Sequence, residues 1–356
     1  MNTRIIQMRE EQIDQTLLAE AGLVIQRGGL VAFPTETVYG LGGDAMNETS
    51  AARIYAAKGR PSDNPLIVHI SCPEDMRRVA RQVPETAFRL AEAFWPGPLT
   101  MILPKADEVP SATTGGLDTV AVRMPDHAVA LALIRAAGGF VAAPSANLSG
   151  RPSPTLARYV IEDMDGRIDL IIDGGNVGLG LESTIVDLTG EIPMILRPGY
   201  ITAEMLEEVL GEICMDQTLF HGDSDAAPKA PGMKYRHYAP RGELRILSGS
   251  REQVTAEINR RAAEQTARGE KVGVIATKET AGSYQAASIK SAGSRQDEAG
   301  MAQALYRILR EFDEEEVTVI YSEELAGEED AGGLGAAIRN RLLKAAGYCV
   351  EYVTES

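Results

Sequence analysis

The chain has 356 residues, 44% of them hydrophobic, and carries 35 Lys+Arg against 51 Asp+Glu for a formal net charge of −16. That length favours two domains, and that charge excludes a surface built to hold a nucleic-acid backbone by counterion release, while leaving room for a local cationic cleft. Three isolated cysteines without CxxC or zinc spacing, and no apolar run near the roughly 20 residues of a membrane span, fit a cytoplasmic protein in a reducing compartment with neither a disulfide framework nor a transmembrane helix.

The start, MNTRIIQMREEQ, has no apolar core of the kind a signal peptide needs. Helical patterns are predicted over Glu11–Arg27, Ser50–Lys58 and Glu85–Trp95. Strands are predicted at Leu30–Phe33 and in the runs LIVHIS, LTMILP, TVAVRMP, FVAAPSA, LIIDGG and STIVDL. Several connections are too short for a helical crossover, so residues 1–212 should form an α/β domain on a mixed sheet. Residues 213–241 lose all periodicity among Pro, Gly and Asp breakers and read as a linker or long functional loop. The four cations of this stretch, Lys229, Lys234, Arg236 and Arg241, all follow its last acid, Asp225, so it is either a solvated tether or a flap that closes on an anion. Residues 242–356 alternate GELRILSG, KVGVIAT and VTVIYSE with helices near Arg251–Arg268, Gln296–Phe312 and Gly335–Ala346. This is the pattern of a smaller, parallel, Rossmann-like domain.

The segment KGRPSDNPL, Lys58–Leu66, joins a helix to a strand. A lysine before a glycine at a helix C-terminus has an ordinary dipole explanation. Arg60 and Asn64 add to it, because the prolines restrict the connection and should hold its polar side chains near an edge of the sheet. Two cations on a stiff turn at a strand end suit a polyphosphate. Similar turns recur. PTETVYGLG leaves a strand into hydroxyls and glycines. Arg123 sits within the apolar run TVAVRMP, where it must be paired or face a cleft. PSANLSG places Ser145, Asn147 and Ser149 after a strand, ESTIVD opens with Ser183 and Thr184 close by, and LRPG sets Arg197 before a Pro-Gly turn. Each has a reading as plain turn chemistry. Their number argues for one polar, cationic pocket built from strand ends. No GxxxxGKS/T loop is present, and GGNVGLG at Gly174–Gly180 lacks the helix a dinucleotide fingerprint requires.

The motifs PTETVYGLG, KGRPSDNPL, PSANLSG, ESTIVD and RPG, in this order, resemble the YrdC-like domain of threonylcarbamoyl-AMP synthases. APGMKYRHYAP at Ala230–Pro240 resembles the linker of the two-domain form, and GLGAAIRNRLLKAAG at Gly333–Gly347 the end of its C-terminal domain. The resemblance implies a YrdC-like twisted mixed-sheet catalytic domain over 1–212, an active-site flap over 213–241 and a Rossmann-like domain over 242–356. It implies synthesis of L-threonylcarbamoyladenylate from L-threonine, bicarbonate or CO2, and ATP, with release of pyrophosphate. Downstream threonylcarbamoyl-transferring proteins would use the product to modify tRNA. Carried over by motif, Lys58, Arg60, Asn64, Thr119, Ser145, Asn147, Ser153, Arg197, Tyr235 and His237 would serve ATP, with Lys58 and Arg60 catalytic. Thr37, His69, Arg123, the backbone of Ala143, and Ser183 would hold L-threonine. Mg²⁺ would be carried by the ATP phosphates. An RNA-binding module is disfavoured by the acidic balance and the lack of an aromatic-basic stripe. A carbamoyl-transferring relative of hydrogenase maturation proteins is disfavoured by the missing CxxC fingers.

Overall fold

The structure, a computed structural model, describes residues 2–220, 237–326 and 333–353. The described residues divide into two compact units, the first holding 2–149 and 153–219, the second holding 150–152, 220 and the residues from 237 onward.

The first unit runs β1 (Arg4–Gln7), α1 (Gln15–Gln26), β2 (Val31–Phe33), β3 (Gly40–Asp44), α2 (Glu48–Lys58), β4 (Ile67–His69), α3 (Met76–Val79), α4 (Glu85–Phe94), β5 (Leu99–Pro104), β6 (Thr119–Arg123), α5 (Ala128–Ala136), β7 (Val141–Ala143), α6 (Ala157–Met164), β8 (Leu170–Asp173), β9 (Thr184–Asp187), β10 (Met194–Arg197), α7 (Ala203–Leu210) and β11 (Cys214–Met215). Its strands form one 11-stranded mixed sheet in the order β1-β8-β2-β3-β7-β4-β6-β5-β9-β10-β11. The second unit contains β12 (Glu243–Ser248), α8 (Arg251–Ala267), β13 (Val272–Ala276), β14 (Ser288–Ser291), α9 (Glu298–Glu314), β15 (Val319–Glu323), α10 (Leu334–Ala345) and β16 (Val350–Tyr352). Its 5-stranded sheet has the order β14-β13-β15-β12-β16, and every pair is parallel. The expected pair of folds, a twisted mixed sheet and a smaller parallel α/β unit, is what the chain forms.

Strand side chains alternate between the two faces of a sheet, and in the first unit the two faces differ. One face carries Val68, Met101, Val120, Val122, Ala142, Val186 and Ile195 against α2, α3, α4, α6 and α7, in a single large apolar core. On the other face α1 and α5 cover the end built from β1, β8, β2 and β7, packing on Ile6, Val31, Phe33, Val141 and Ala143. Farther along this second face the side chains are of two kinds. Ile67, Ala121, Ile102 and Ile185 form a small apolar strip with Leu196, and polar residues run beside it.

The pairing of α1 with α5 depends on a glycine. A Cβ on Gly22 would lie 2.6 Å from the main-chain carbon of Ala136, so only hydrogen allows the two helices to approach this closely. Alanine raises helix propensity by up to about 1 kcal/mol over glycine, but here the clash with backbone outweighs that gain. We expect Gly22→Ala to lower unfolding stability by about 1–3 kcal/mol, measured as a shift of the urea midpoint at constant m-value.

Candidate active site

The Lys58 segment begins where α2 stops. Gly59 takes the left-handed conformation, with φ 63°, that ends a helix without Cβ strain. Lys58 does not turn out to solvent. It is 3% exposed, and its Nζ donates to the main-chain oxygen of Ser145 and, at 2.6 Å, to that of Asn147. The Lys58 carbonyl in turn accepts from Ser149 N at 2.9 Å. The KGRPSDNPL and PSANLSG turns, distant in sequence, are thus bonded directly to each other. Within PSANLSG, Ser145 Oγ donates to Asn147 Oδ1 at 2.5 Å.

The rest of the connection closes on itself. Arg60 Nη2 lies 3.4 Å from the carbonyls of Asn64 and Pro65. Tyr55 donates its hydroxyl to Asn64 O at 3.0 Å, and burial pushes that phenol up to about 12. Asn64 is fully buried, yet neither atom of its side-chain amide has a hydrogen-bond partner among the described residues. A buried amide without a hydrogen-bond partner is costly in a folded protein. One expectation is corrected here. The connection does not feed an edge of the sheet, because β4 lies in its interior between β7 and β6. The interior position follows from pairing: β4 is parallel to β6 and antiparallel to β7, so both of its edges are used.

Strand register assembles the second group. Val141, His69, Arg123, Thr100, Ile185 and Arg197 are successive partners across β7, β4, β6, β5, β9 and β10, so their side chains share one row on one face. With strands about 4.8 Å apart, His69 and Arg197 anchor points about 19 Å apart. The register shifts between Ile195 and Arg197. This bulge lets Leu196 join the apolar strip while Arg197 stays on the same face. Arg197 Nη2 donates to Ser183 Oγ at 3.1 Å and its Nε to Ser183 O at 3.0 Å, and the Thr100 and Ser183 hydroxyls share a 2.7 Å hydrogen bond. Arg123 Nη2 donates to Thr37 Oγ1 at 3.0 Å and pairs with Glu36 at 2.7 Å, and its Nε reaches Gly97 O at 3.4 Å. His69 is held by Ile67 O at 3.1 Å and packs edge-on against Phe33. Burial, reinforced by the Arg123 charge, depresses its pKa to about 3, so the ring is neutral at physiological pH.

Ala143 lies in register with Ile67, two residues from His69. Ser153 is buried and donates to Glu182 at 2.6 Å, next to Ser183. Thr119 is half-buried at the far end of β6 from Arg123, on the same face. His237 falls in the second unit with its ring 5.6 Å from that of Tyr238. Tyr235, with the linker cations Lys229, Lys234 and Arg236, lies outside the described residues. Sequence reasoning passed over Glu36, Thr100 and Glu182. Glu36 and Glu182 stand inside the motifs PTETVYGLG and ESTIVD, whose hydroxyls drew the attention. Thr100 gave no signal, since its place depends on cross-strand register. The glycine-rich segment 174–180 binds no helix but supports this site: Leu179 N and Gly180 N donate to the carbonyls of Glu36 and Thr37 at 2.8 and 3.1 Å.

The strand ends of this twisted mixed sheet thus carry buried cations, hydroxyls and a buried amide without a hydrogen-bond partner among the described residues. A family model described as "Telomere recombination" matches residues 23–199, and one described as "Threonylcarbamoyl-AMP synthase, C-terminal domain" matches residues 201–347. The chain is 49% identical to the threonylcarbamoyl-AMP synthase of Pyrococcus abyssi over 97% of its own length and 98% of that protein. It is also 49% identical to the Bacillus subtilis enzyme, over 93% of each. The P. abyssi Sua5 structure complexed with L-threonine superposes with a TM-score of 0.91 at 47% identity, covering 99% of this chain and 100% of that one. The chain therefore belongs to the threonylcarbamoyl-AMP synthase family, enzymes of the nucleotidyltransferase type. Among the described residues no helix is long and apolar enough to cross a membrane.

The neutral state of His69 has a consequence for stability. A histidine whose folded pKa lies near 3 against 6.5 unfolded leaves the unfolded chain binding more protons between those values, so its contribution falls as the pH is lowered through that window. We expect the stability of the wild type relative to His69→Gln to fall by about 1 kcal/mol per pH unit on acidification below 6.5, read from paired denaturant titrations. A pH-independent difference would show that His69 titrates normally.

Proposed function

We propose that this chain makes L-threonylcarbamoyladenylate from L-threonine, bicarbonate or CO2, and ATP, releasing pyrophosphate, and that the product serves threonylcarbamoyladenosine modification of tRNA. The observation that carries this reading is the convergence of Lys58, Ser145 and Asn147 in one hydrogen-bonded cluster and of Thr37, His69, Arg123, Ser183 and Arg197 along one sheet face. In this assignment the first cluster, with Arg60, Asn64, Ser153, Thr119 and Arg197, takes the nucleotide. Arg123 takes the carboxylate of threonine, and Thr37, His69, Ser183 and the Ala143 backbone complete that subsite. That a P. abyssi relative has been solved with L-threonine supports it. Residues 1–212 act as the catalytic domain. Residues 213–241, with Tyr235 and His237, act as a flap, and 242–356 form the C-terminal domain.

The chemistry follows from charge. The threonine amine adds to CO2 to give a carbamate and a proton. A carbamate oxygen then bonds to the α-phosphorus as the bond to pyrophosphate breaks. Both partners are anionic, so the work of the site is to hold them together and to meet the charge that develops on the phosphate. Buried Lys58 and half-buried Arg60 supply positive charge, which acts most strongly at Lys58, where water is excluded. Asn64 offers its unpartnered amide to a phosphate oxygen. His69, neutral, serves as a hydrogen-bonding wall rather than as a cation. Mg²⁺ would be carried by the triphosphate itself, lowering its charge. The threonylcarbamoyl-adenylate would be passed on to threonylcarbamoyl-transferring proteins.

The test is mass spectrometry of the product formed from ATP, labelled bicarbonate and L-threonine, coupled to pyrophosphate release. We expect a labelled threonylcarbamoyl-adenylate. We also expect a loss of at least about 100-fold in rate for Lys58→Ala and Arg60→Ala, with the folded structure retained by circular dichroism. Near-normal turnover in either variant would overturn the site assignment.

A further inference from the structure

The Arg123 guanidinium is engaged unevenly. Nε reaches Gly97 O, and Nη2 serves both Thr37 Oγ1 and the Glu36 carboxylate. Two of its five protons are thereby hydrogen-bonded; the Glu36 contact is an ion pair in which neither carboxylate oxygen forms a hydrogen bond, and Nη1 has no partner among the described residues. The planar group can turn about its last bonds, so which edge faces the site depends on what grips the opposite edge. Glu36 is that grip. Its side chain is 12% exposed and that of Arg123 5%. A pair so far from water is held by strong attraction, and removing one partner strands the other. Glu36 is itself fixed from behind. Its carbonyl accepts Leu179 N at 2.8 Å, and the supporting chain comes close only because Gly174 has no Cβ, which would lie 2.5 Å from Pro34 Cγ.

We propose that Glu36 is a positioning residue for L-threonine: its ion pair locks the plane of Arg123 so that the Nη1 edge faces the carboxylate of the amino acid. The pair also leaves the empty subsite electrically balanced, so that the site binds the amino acid by geometry rather than by capturing any anion. This inference rests on the reading that Arg123 receives the threonine carboxylate.

The experiment measures pyrophosphate release by the full chain with L-threonine and ATP varied separately, for Glu36→Ala, Glu36→Gln, Arg123→Ala and the Glu36→Ala/Arg123→Ala pair. We expect Glu36→Ala to raise KM for L-threonine by about 100-fold while KM for ATP moves less than about twofold. Glu36→Gln keeps an oxygen acceptor for Nη2 and should recover about tenfold of that loss. Arg123→Ala should raise the same KM at least as far, with Glu36→Ala adding little on top of it, as two members of one unit do. If Arg123→Ala raises KM for threonine and neither Glu36 variant does, the proposal fails and the site reading stands. If Arg123→Ala leaves it unchanged, the site reading fails and the proposal with it. Equal rises in both KM values for Glu36→Gln would assign Glu36 a general structural role and overturn the proposal. Should Glu36→Ala fail to fold, Glu36→Gln carries the test.

Discussion

The constraint on which the first unit depends is the exclusion of water from three cations. Lys58 is 3% exposed and Arg123 and Arg197 are each 4% exposed. A charge in that position is tolerated only where oxygen atoms replace its hydration. The chain supplies them from turns rather than from a row of carboxylates. Carbonyls of the PSANLSG turn receive Lys58, Ser183 receives Arg197 through both its hydroxyl and its carbonyl, and Thr37 with Glu36 receives Arg123. Each turn is held in place by the cation it solvates. The polar motifs are therefore part of what holds the fold, and their arrangement follows from where the charges are buried.

The sheet explains why this arrangement sits where it does. The α1–α5 pair covers only one end of one face, where its apolar residues meet Ile6, Val31 and Phe33. Beyond that end the same face continues across β4, β6, β5, β9 and β10 with the row from His69 to Arg197. The opposite face is packed with apolar side chains from β8 to β10, which makes the strands a stiff base for the polar row. The formal net charge of −16 then acquires a meaning. The acids lie mostly elsewhere, and a few positive groups are concentrated where low-dielectric walls strengthen their field. That suits small anions brought together in a cleft, and suits a nucleic-acid backbone poorly.

The sequence made the turns legible because their chemistry is local. Pro, Gly, Ser and Asn at fixed offsets state a turn whatever the rest of the chain does. Gly59 as a helix stop, the Ser145–Asn147 turn and the strand at Ile67–His69 could all be read this way. The sheet order could not. Nothing in the run LIVHIS says that β4 will be gripped on both sides, and the expected edge position came from the prolines before it. The α5 segment AVALALIRA hides its helical period, because its less buried side is made mostly of Ala and Leu rather than polar residues, while Val129, Ala130, Leu133 and Ile134 are buried. Arg123 could be marked as paired or cleft-facing from its apolar strand alone. That its partner is Glu36, and that Thr100 stands beside it, depended on register and on the loop carried by Gly174–Gly180, which are long-range properties.

The two halves of the site differ in a way that bears on how the proposed reaction is driven. Around Arg123 the guanidinium is paired with Glu36 and bonded to Thr37 and Gly97 O, although neither Glu36 carboxylate oxygen forms a hydrogen bond among the described residues. Around Asn64 no charge pair is made: the amide is buried with both of its polar atoms unmatched, although Tyr55 and Arg60 hold its backbone. An unmatched group on a fixed frame gains most from a ligand that supplies the missing partners, and the gain is largest for an anion whose charge grows as the bond changes. In the proposed reading, a threonine subsite built on a paired guanidinium and a nucleotide subsite completed by phosphate would place the binding energy where the phosphorus is attacked. Such a site needs no general base, which agrees with a histidine whose burial keeps it from holding a proton at neutral pH.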